Sequence, residues 1–95
     1  MSINDLSYSG SAPINLILDV TSSGSDSITL NDDTWLQVNF IGNGQSTNQK
    51  VQVNNITIYG LQHFTGHVYY SFHAHKGDII TGSVLGSGSV KVYKP

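Results

Sequence analysis

Two histidines, His73 and His75, have the spacing that most directly suggests chemistry. Residues two apart on a β-strand project from the same face, so these two imidazoles could both bind one metal ion. A metal site needs at least a third ligand, and His67 would lie about 20 Å away on the same strand. Asp78 in the following turn or His63 in the preceding loop could supply that ligand. The alternative is that His73 and His75 are ordinary exposed residues of a half-solvated sheet.

Oxygen-bearing side chains cluster at Asn31, Asp32 and Asp33, which predict either a cation site or a turn. Carboxylate and amide oxygens are the ligands that calcium prefers. The same side chains also hydrogen-bond to their own backbone in turns, and we favour that interpretation. Because the chain has no cysteine, a zinc site could use only histidine and carboxylate. We therefore expect no required cofactor and keep calcium and zinc as candidates.

Aromatic rings among short polar side chains suggest carbohydrate binding. A sugar ring stacks its apolar C–H face on an aromatic plane, and its hydroxyls need paired donors and acceptors. The same mixture also suits a protein interface, where Tyr and Trp are common. The residues that we predict to contact a ligand are Asn31, Asp32, Asp33, Trp35, His63, His67, Tyr69, His73 and His75.

The elements that position these residues are predicted to be β-strands. Gly, Ser, Thr and Asn make up 38 of the 95 residues, a composition that favours strands and tight turns. No window keeps the apolar spacing of a helix for long. We predict one all-β domain over 1–95, an antiparallel β-sandwich of jelly-roll or Greek-key type with about seven or eight strands. The segments with strand character are 14–20, 27–30, 34–41, 51–58, 66–75, 79–85 and 89–93.

Side-chain parity within these segments predicts which residues face outward. Leu36, Val38 and Phe40 share the core face of one strand, so Trp35 has the opposite parity and should be exposed. Apolar and polar residues alternate most regularly over 66–75, which we expect to be the central strand.

Pairing between segments gives further expectations. A change of parity at 54–55 predicts a bulge or a bend. Segments 79–85 and 89–93 are expected to pair with each other. We also expect 27–30 and 89–93 to be edge strands with little protection against pairing, so that the protein forms a homo-oligomer.

Composition argues against several classes of function. With four Lys, no Arg and a net charge of −2, the chain has no basic cluster for nucleic acid. It lacks Cys, Glu, a nucleophile elbow and a phosphate-binding loop, so we do not expect an enzyme. No apolar run reaches the length needed to span a bilayer, so we expect a water-soluble protein without membrane insertion.

Two short stretches resemble motifs of known families. The pair His73 and His75 resembles the metal motif of cupins, but the Glu that follows in cupins and their second motif have no counterpart here. Residues 59–66 resemble the aromatic hairpin of βγ-crystallins, in which Gly66 would take a positive φ. Residues 31–34 resemble the calcium-binding pattern of the same family. Each resemblance covers a small part of the chain, and we assign neither family.

The first residues lack a basic start followed by an apolar stretch, so we expect no secretory signal in the chain as given. This leaves a cytoplasmic protein or one exported by another route. Residues 1–12 are predicted to be a flexible or edge-pairing segment.

The function that these patterns favour is that of a lectin-like module, with a glycan or glycoprotein as partner. The first alternative is a structural, assembly or adhesion subunit that uses its aromatic polar face as a subunit contact. The second alternative is a metal-dependent binding domain built on His73 and His75.

Overall fold

Eight antiparallel β-strands form the part of the chain that the computed structural model describes, residues 14–44 and 47–95. No helix in these ranges has the length and apolar character needed to cross a membrane. The strands are β1 (Asn15–Thr21), β2 (Ser25–Thr29), β3 (Thr34–Asn43), β4 (Thr47–Val53), β5 (Ile56–Gln62), β6 (Thr65–Ala74), β7 (Ile79–Gly86) and β8 (Ser89–Lys94).

The strands form two four-stranded sheets, ordered β1-β8-β3-β6 and β2-β7-β4-β5. The pairing is nested, because β1 pairs with β8, β2 with β7, β3 with β6 and β4 with β5. A long antiparallel hairpin that is rolled up so that its strands alternate between two sheets gives this order, which is the jelly roll. The predicted antiparallel β-sandwich is therefore confirmed, and of the two predicted types it is the jelly roll.

The core lies between the sheets because apolar and polar side chains alternate along the strands. Leu36, Val38 and Phe40 are at most 1% exposed, whereas Trp35 on the opposite face of β3 is 46% exposed. Burying one such apolar side chain contributes roughly 1.5–3 kcal/mol, so a slip of one residue in register would be costly. The buried apolar residues are Leu18, Val20, Leu30, Leu36, Val38, Phe40, Val51, Ala74, Ile80, Val84, Val90 and Val92.

One side of the sandwich is closed where β5 and β6 face each other. Tyr59 stacks on Tyr70, with 4.1 Å between the ring centroids and 10° between the ring planes. Tyr59 Oη donates a hydrogen bond to the carbonyl oxygen of Ser71 at 3.3 Å. These contacts join the two sheets at their edges.

The prediction that 66–75 forms the central strand is wrong. Among the strands of residues 14–44 and 47–95, the corresponding strand, β6, pairs only with β3 and lies at the edge of its sheet. Its regular alternation reflects one face packed on the core and one face in solvent, and an edge strand satisfies that condition as well as a central one does.

The change of parity at 54–55 marks a hairpin turn instead of a bulge. Asn54 and Asn55 have φ values of 52° and 69° and connect β4 directly to β5. Two consecutive positive φ values are typical of the two-residue turn that suits antiparallel strands, and Asn tolerates this conformation well. A bulge does occur nearby, at Ile58, where the register between β4 and β5 shifts.

Of the two predicted edge strands, one is confirmed and one is wrong. Segment 27–30 overlaps β2, which is an edge strand, but 89–93 lies in β8 between β1 and β3. The expected pairing of 79–85 with 89–93 is also wrong, because β7 and β8 belong to different sheets. The predicted positive φ of Gly66 is confirmed at 98°. The predicted segment 1–12 lies outside the described residues.

A buried polar network holds the connections at one end of the sandwich. The fully buried Gln49 donates from Nε2 to Ile41 O at 2.8 Å and to Thr47 Oγ1 at 2.7 Å. Thr47 in turn donates to Ser87 O at 2.6 Å. Gly88 packs against this network with a φ of 103°, and a Cβ there would overlap the Gln49 amide and Ile41 O.

Candidate functional site

Six of the nine predicted ligand-contacting residues lie at the same end of the sandwich. This end is formed by the β2–β3 turn, the β6–β7 turn and the strand residues beside them. We call these six residues the Trp35 cluster. Its members are Asn31, Asp32, Asp33, Trp35, His73 and His75.

Strand pairing brings Trp35 beside His73 on the outer face of the sheet. The two residues are directly opposite each other in the β3–β6 pair. Their ring centroids are 5.4 Å apart, with 82° between the ring planes. The predicted outward orientation of Trp35 is confirmed by its 46% exposure. A large aromatic residue exposed in this way is more typical of a contact surface than of a core.

The two imidazoles predicted to lie side by side do so. The ring centroids of His73 and His75 are 5.1 Å apart, with 64° between the ring planes. His75 Nδ1 lies 3.9 Å from Asp33 Oδ1, which connects the histidine pair to the β2–β3 turn. The side chains of His75 and Asp33 are 70% and 66% exposed, so both are accessible to a ligand.

Backbone hydrogen bonds hold the β2–β3 and β6–β7 turns together. Asp33 Oδ1 accepts a hydrogen bond from the backbone N–H of Lys76 at 2.8 Å. Leu30 N donates to Asp78 O, and Gly77 N donates to Leu30 O, each at 2.9 Å. The turn preferred for Asn31, Asp32 and Asp33 in the sequence is thus present, and Asp33 joins it to the second turn.

Asp78 organises the β6–β7 turn and does not face the histidines as a free ligand. Its Oδ2 accepts from the backbone N–H of His75 at 2.9 Å, and its Oδ1 accepts from Asn54 Nδ2 at 3.0 Å. These hydrogen bonds favour the charged carboxylate, the one from His75 most strongly, and they hold the pKa of Asp78 below its ordinary value.

Asp32 provides a second accessible carboxylate at this end of the sandwich. Its Oδ1 lies 3.5 Å from Lys94 Nζ, and the Asp32 side chain is 60% exposed. Sequence reasoning missed Lys94 as a neighbour of the site because the two residues are 62 positions apart, and only the strand order brings them together.

The remaining three predicted residues lie away from the cluster. Tyr69 is 56% exposed on the same outer face, and its ring lies parallel to that of His67 at 6.2 Å with 17° between the planes. His67 is six residues from His73 along β6, which corresponds to about 20 Å. His63 lies in the β5–β6 connection at the opposite end of the sandwich.

The residues described do not provide a complete metal site. In residues 14–44 and 47–95, no group of three or more His, Cys, Asp or Glu side chains is arranged to hold a metal ion. Of the two predicted third ligands, Asp78 is engaged in the turn and His63 lies at the other end of the sandwich. The carboxylate of Asp33 lies 3.9 Å from the His75 imidazole.

A shallow depression of about 400 Å³ lies on the outer face of the other sheet, between β2, β4 and β7. It contains none of the nine predicted residues, and no aromatic ring lines it. Lys50 is its one charged residue, and the 69% exposed Leu85 forms part of its wall. We place the candidate site at the Trp35 cluster, because that end combines an exposed aromatic ring with carboxylates and imidazoles.

Comparison with known proteins adds no further constraint. The chain matches no protein-family model, no curated protein and no solved structure.

Proposed function

We propose that this chain is a lectin-like carbohydrate-binding module that acts by binding, with the Trp35 cluster as its site. The observation that carries the proposal is the position of Trp35. Nearly half of its surface is exposed, and its ring lies beside that of His73. Two accessible carboxylates, those of Asp32 and Asp33, are within three positions of it along the chain. An aromatic plane with hydrogen-bond acceptors at its border is the combination that a sugar ring needs.

The cluster supplies complementary groups for the two kinds of surface on a sugar. The indole of Trp35 stacks against the C–H face of the ring. Among the described residues, Asp33 Oδ1 accepts a hydrogen bond from the Lys76 N–H, and Oδ2 is the oxygen that we assign to a sugar hydroxyl. The imidazoles of His73 and His75 can each donate one hydrogen bond and accept another. The Asp33–Lys76 hydrogen bond fixes the carboxylate before binding, which lowers the entropic cost of association.

The charges at this end favour neutral sugars over acidic ones. The end of the sandwich that carries Trp35 holds three carboxylates, those of Asp32, Asp33 and Asp78, and two ammonium groups, those of Lys76 and Lys94. An acidic sugar would add a negative charge to this excess of carboxylates, which like-charge repulsion opposes. The partner that fits best is therefore a neutral glycan or a glycoprotein that carries one.

A glycan array probed with the wild-type protein, with and without EDTA, tests this proposal. We expect binding to neutral glycans, and we expect it to survive EDTA. The Trp35→Ala and Asp33→Asn variants should lose that binding, whereas Leu85→Ala, which truncates an exposed apolar residue on the other sheet, should keep it. Absence of any glycan signal from the folded wild-type protein would contradict the proposal.

A role as an assembly subunit is the second candidate. It is favoured by one observation, the exposed edge of β6, which among the described residues pairs on one side with β3.

A further inference from the structure

The four edge strands of the sandwich differ in how well they are protected against pairing with another chain. β1 has an irregularity between Leu16 and Leu18 that interrupts its register with β8. β5 carries a bulge at Ile58. β2 has only five residues, and the Asp26 side chain accepts a hydrogen bond from the Ser27 N–H. Bulges, short length and acidic residues are the devices by which edge strands avoid pairing.

β6 is the one edge strand of the four that has none of these protections. It has ten residues and pairs with β3 in continuous register from Thr65 to Ala74. The strand contains no Lys, Asp or Pro. Natural proteins protect long edges, so a long unprotected edge is more typical of an interaction surface.

The direction of the backbone groups identifies the hydrogen-bonding positions on this edge. Gly44 N, which follows β3, donates a hydrogen bond to the carbonyl oxygen of Phe64, which precedes β6. The backbone groups of the even-numbered Phe64 therefore point toward β3. Because backbone groups alternate sides along a strand, the N–H and C=O groups of odd-numbered residues point to the free edge. Among the described residues, one of these groups has a partner, because Tyr59 Oη donates to Ser71 O at 3.3 Å. That carbonyl oxygen retains a second lone pair.

We infer that β6 pairs antiparallel with β6 of a second copy of this chain, about a two-fold axis. A second β6 matches this edge well, because it is equally long and regular and also contains no Lys, Asp or Pro. Pairing of odd-numbered residues with odd-numbered residues makes one eight-stranded sheet from two four-stranded ones. It also places both Trp35 clusters on the same outer face, because odd-numbered side chains stay on one side of the sheet. The pairing itself does not depend on the proposed sugar binding.

Amide hydrogen exchange of the wild-type protein, followed residue by residue by NMR, tests the pairing directly. At micromolar concentration, the N–H groups of Tyr69 and Ser71 should exchange fast, and those of Tyr70 and Phe72, which face β3, should exchange slowly. At near-millimolar concentration, Tyr69 and Ser71 should become protected while β2 does not change. Sedimentation velocity on the same samples should show a dimer forming.

Two variants separate the β6 edge from the other surfaces. Ser71→Pro removes one donor from the free edge, a position where proline is tolerated in strands, and Ser71→Lys adds a charge near the two-fold axis. Each should weaken dimerisation by about tenfold or more. Thr21→Lys, on the opposite edge of the same sheet, is the matched control and should leave dimerisation unchanged.

Three results would overturn the inference. The first is a wild-type protein that stays monomeric at near-millimolar concentration. The second is protection of Tyr69 and Ser71 in the monomer, which would show that another part of the same chain covers the edge. The third is a dimer that Ser71→Lys and Thr21→Lys leave equally intact.

Discussion

Trp35 is the residue at which binding and folding should separate most clearly. Its ring is 46% exposed, so Trp35→Ala removes little core packing. We expect the variant to lose roughly tenfold or more in affinity for a neutral glycan, the effect typical of an aromatic hot spot. Isothermal titration beside a thermal melt measures both quantities on one sample.

The control for this prediction is a truncation in the core. Phe40→Ala, at a fully buried position on the same strand, should cost about 3–5 kcal/mol and lower the melting temperature strongly. If Trp35→Ala had a comparable effect on melting and none on binding, Trp35 would be a packing residue.

Gly88 is a position at which the fold has no room for a side chain. Gly88→Ala places a Cβ against the Gln49 amide and Ile41 O at a φ of 103°, so strain and overlap act together. Gly66→Ala is the matched control, because Gly66 has a φ of 98° with nothing within 4 Å of the added Cβ. We expect the control to cost about 1 kcal/mol and Gly88→Ala to cost clearly more in chemical denaturation. An equal loss of unfolding free energy in both variants would mean that the buried Gln49 network accommodates the added Cβ at Gly88.

The β6–β7 turn should be an acid-sensitive element. The pKa of Asp78 is lowered in the folded protein, chiefly by the His75 N–H, so its carboxylate stabilises the fold above the ordinary pKa of Asp. As the pH falls through the folded-state pKa, the unfolded chain binds the proton first and this stabilisation is lost. The affected range lies below about pH 4.

The Asp78→Asn variant tests this dependence. Thermal melts from neutral to acidic pH should show a difference between wild type and variant that is largest at neutral pH and disappears in acid. Asp26→Asn is a suitable control, because within the described part of the chain the Asp26 carboxylate accepts its hydrogen bond from the adjacent Ser27 N–H and joins no other segment. A difference between wild type and Asp78→Asn that did not change with pH would show that the carboxylate charge has no role in holding the turn.

Most strands could be predicted from the sequence, but the position of each strand in its sheet could not. Alternation on β3 and β6 reports one buried face, and it does so equally for an edge and a central strand. The regular pattern of β6 was therefore misinterpreted as central. Asn54 and Asn55 show a related difficulty, since a two-residue turn and a bulge both reverse parity, and only the strand pairing distinguishes them.

The candidate site could be predicted from the sequence only where it depends on neighbouring residues of one strand. Parity and short spacing are local, so the exposure of Trp35 and the proximity of His73 to His75 followed from the sequence. Contacts between distant segments did not, as for Lys94 beside Asp32. The four histidines do not form one group. His67 lies on β6 far from His73, and His63 lies in the connection that precedes β6. Residue type alone therefore does not show which histidines belong to the Trp35 cluster.

The four histidines of the molecule lie in two regions, and only one of these regions belongs to the candidate site. His73 and His75 lie side by side in the Trp35 cluster, and Asp33 is 3.9 Å from the His75 imidazole. We expect removal of both imidazoles to weaken the binding of a neutral glycan, because it deletes hydrogen-bond donors and acceptors from the site.

The double variant His73→Ala with His75→Ala tests this contribution. Calorimetric titration with a neutral glycan should show a lower affinity for the double variant than for the wild type. The pair His63→Ala with His67→Ala, distant from the cluster, should keep the wild-type affinity. An unchanged affinity in the His73 and His75 variant would place the sugar contacts elsewhere.

The nested pairing of the strands has a consequence for synthesis on the ribosome. β8 follows the other seven described strands along the chain, yet it lies between β1 and β3, so their sheet has a gap until residue 94 has left the ribosome. Until then β3 and β1 each present an unpaired edge, and such edges promote aggregation of nascent chains. Closure depends on contacts between the two ends of the described chain, an arrangement that makes folding slow. Nascent chains stalled before residue 89 should therefore need a chaperone, whereas chains extended by a C-terminal linker that carries residue 94 out of the ribosome should fold unaided.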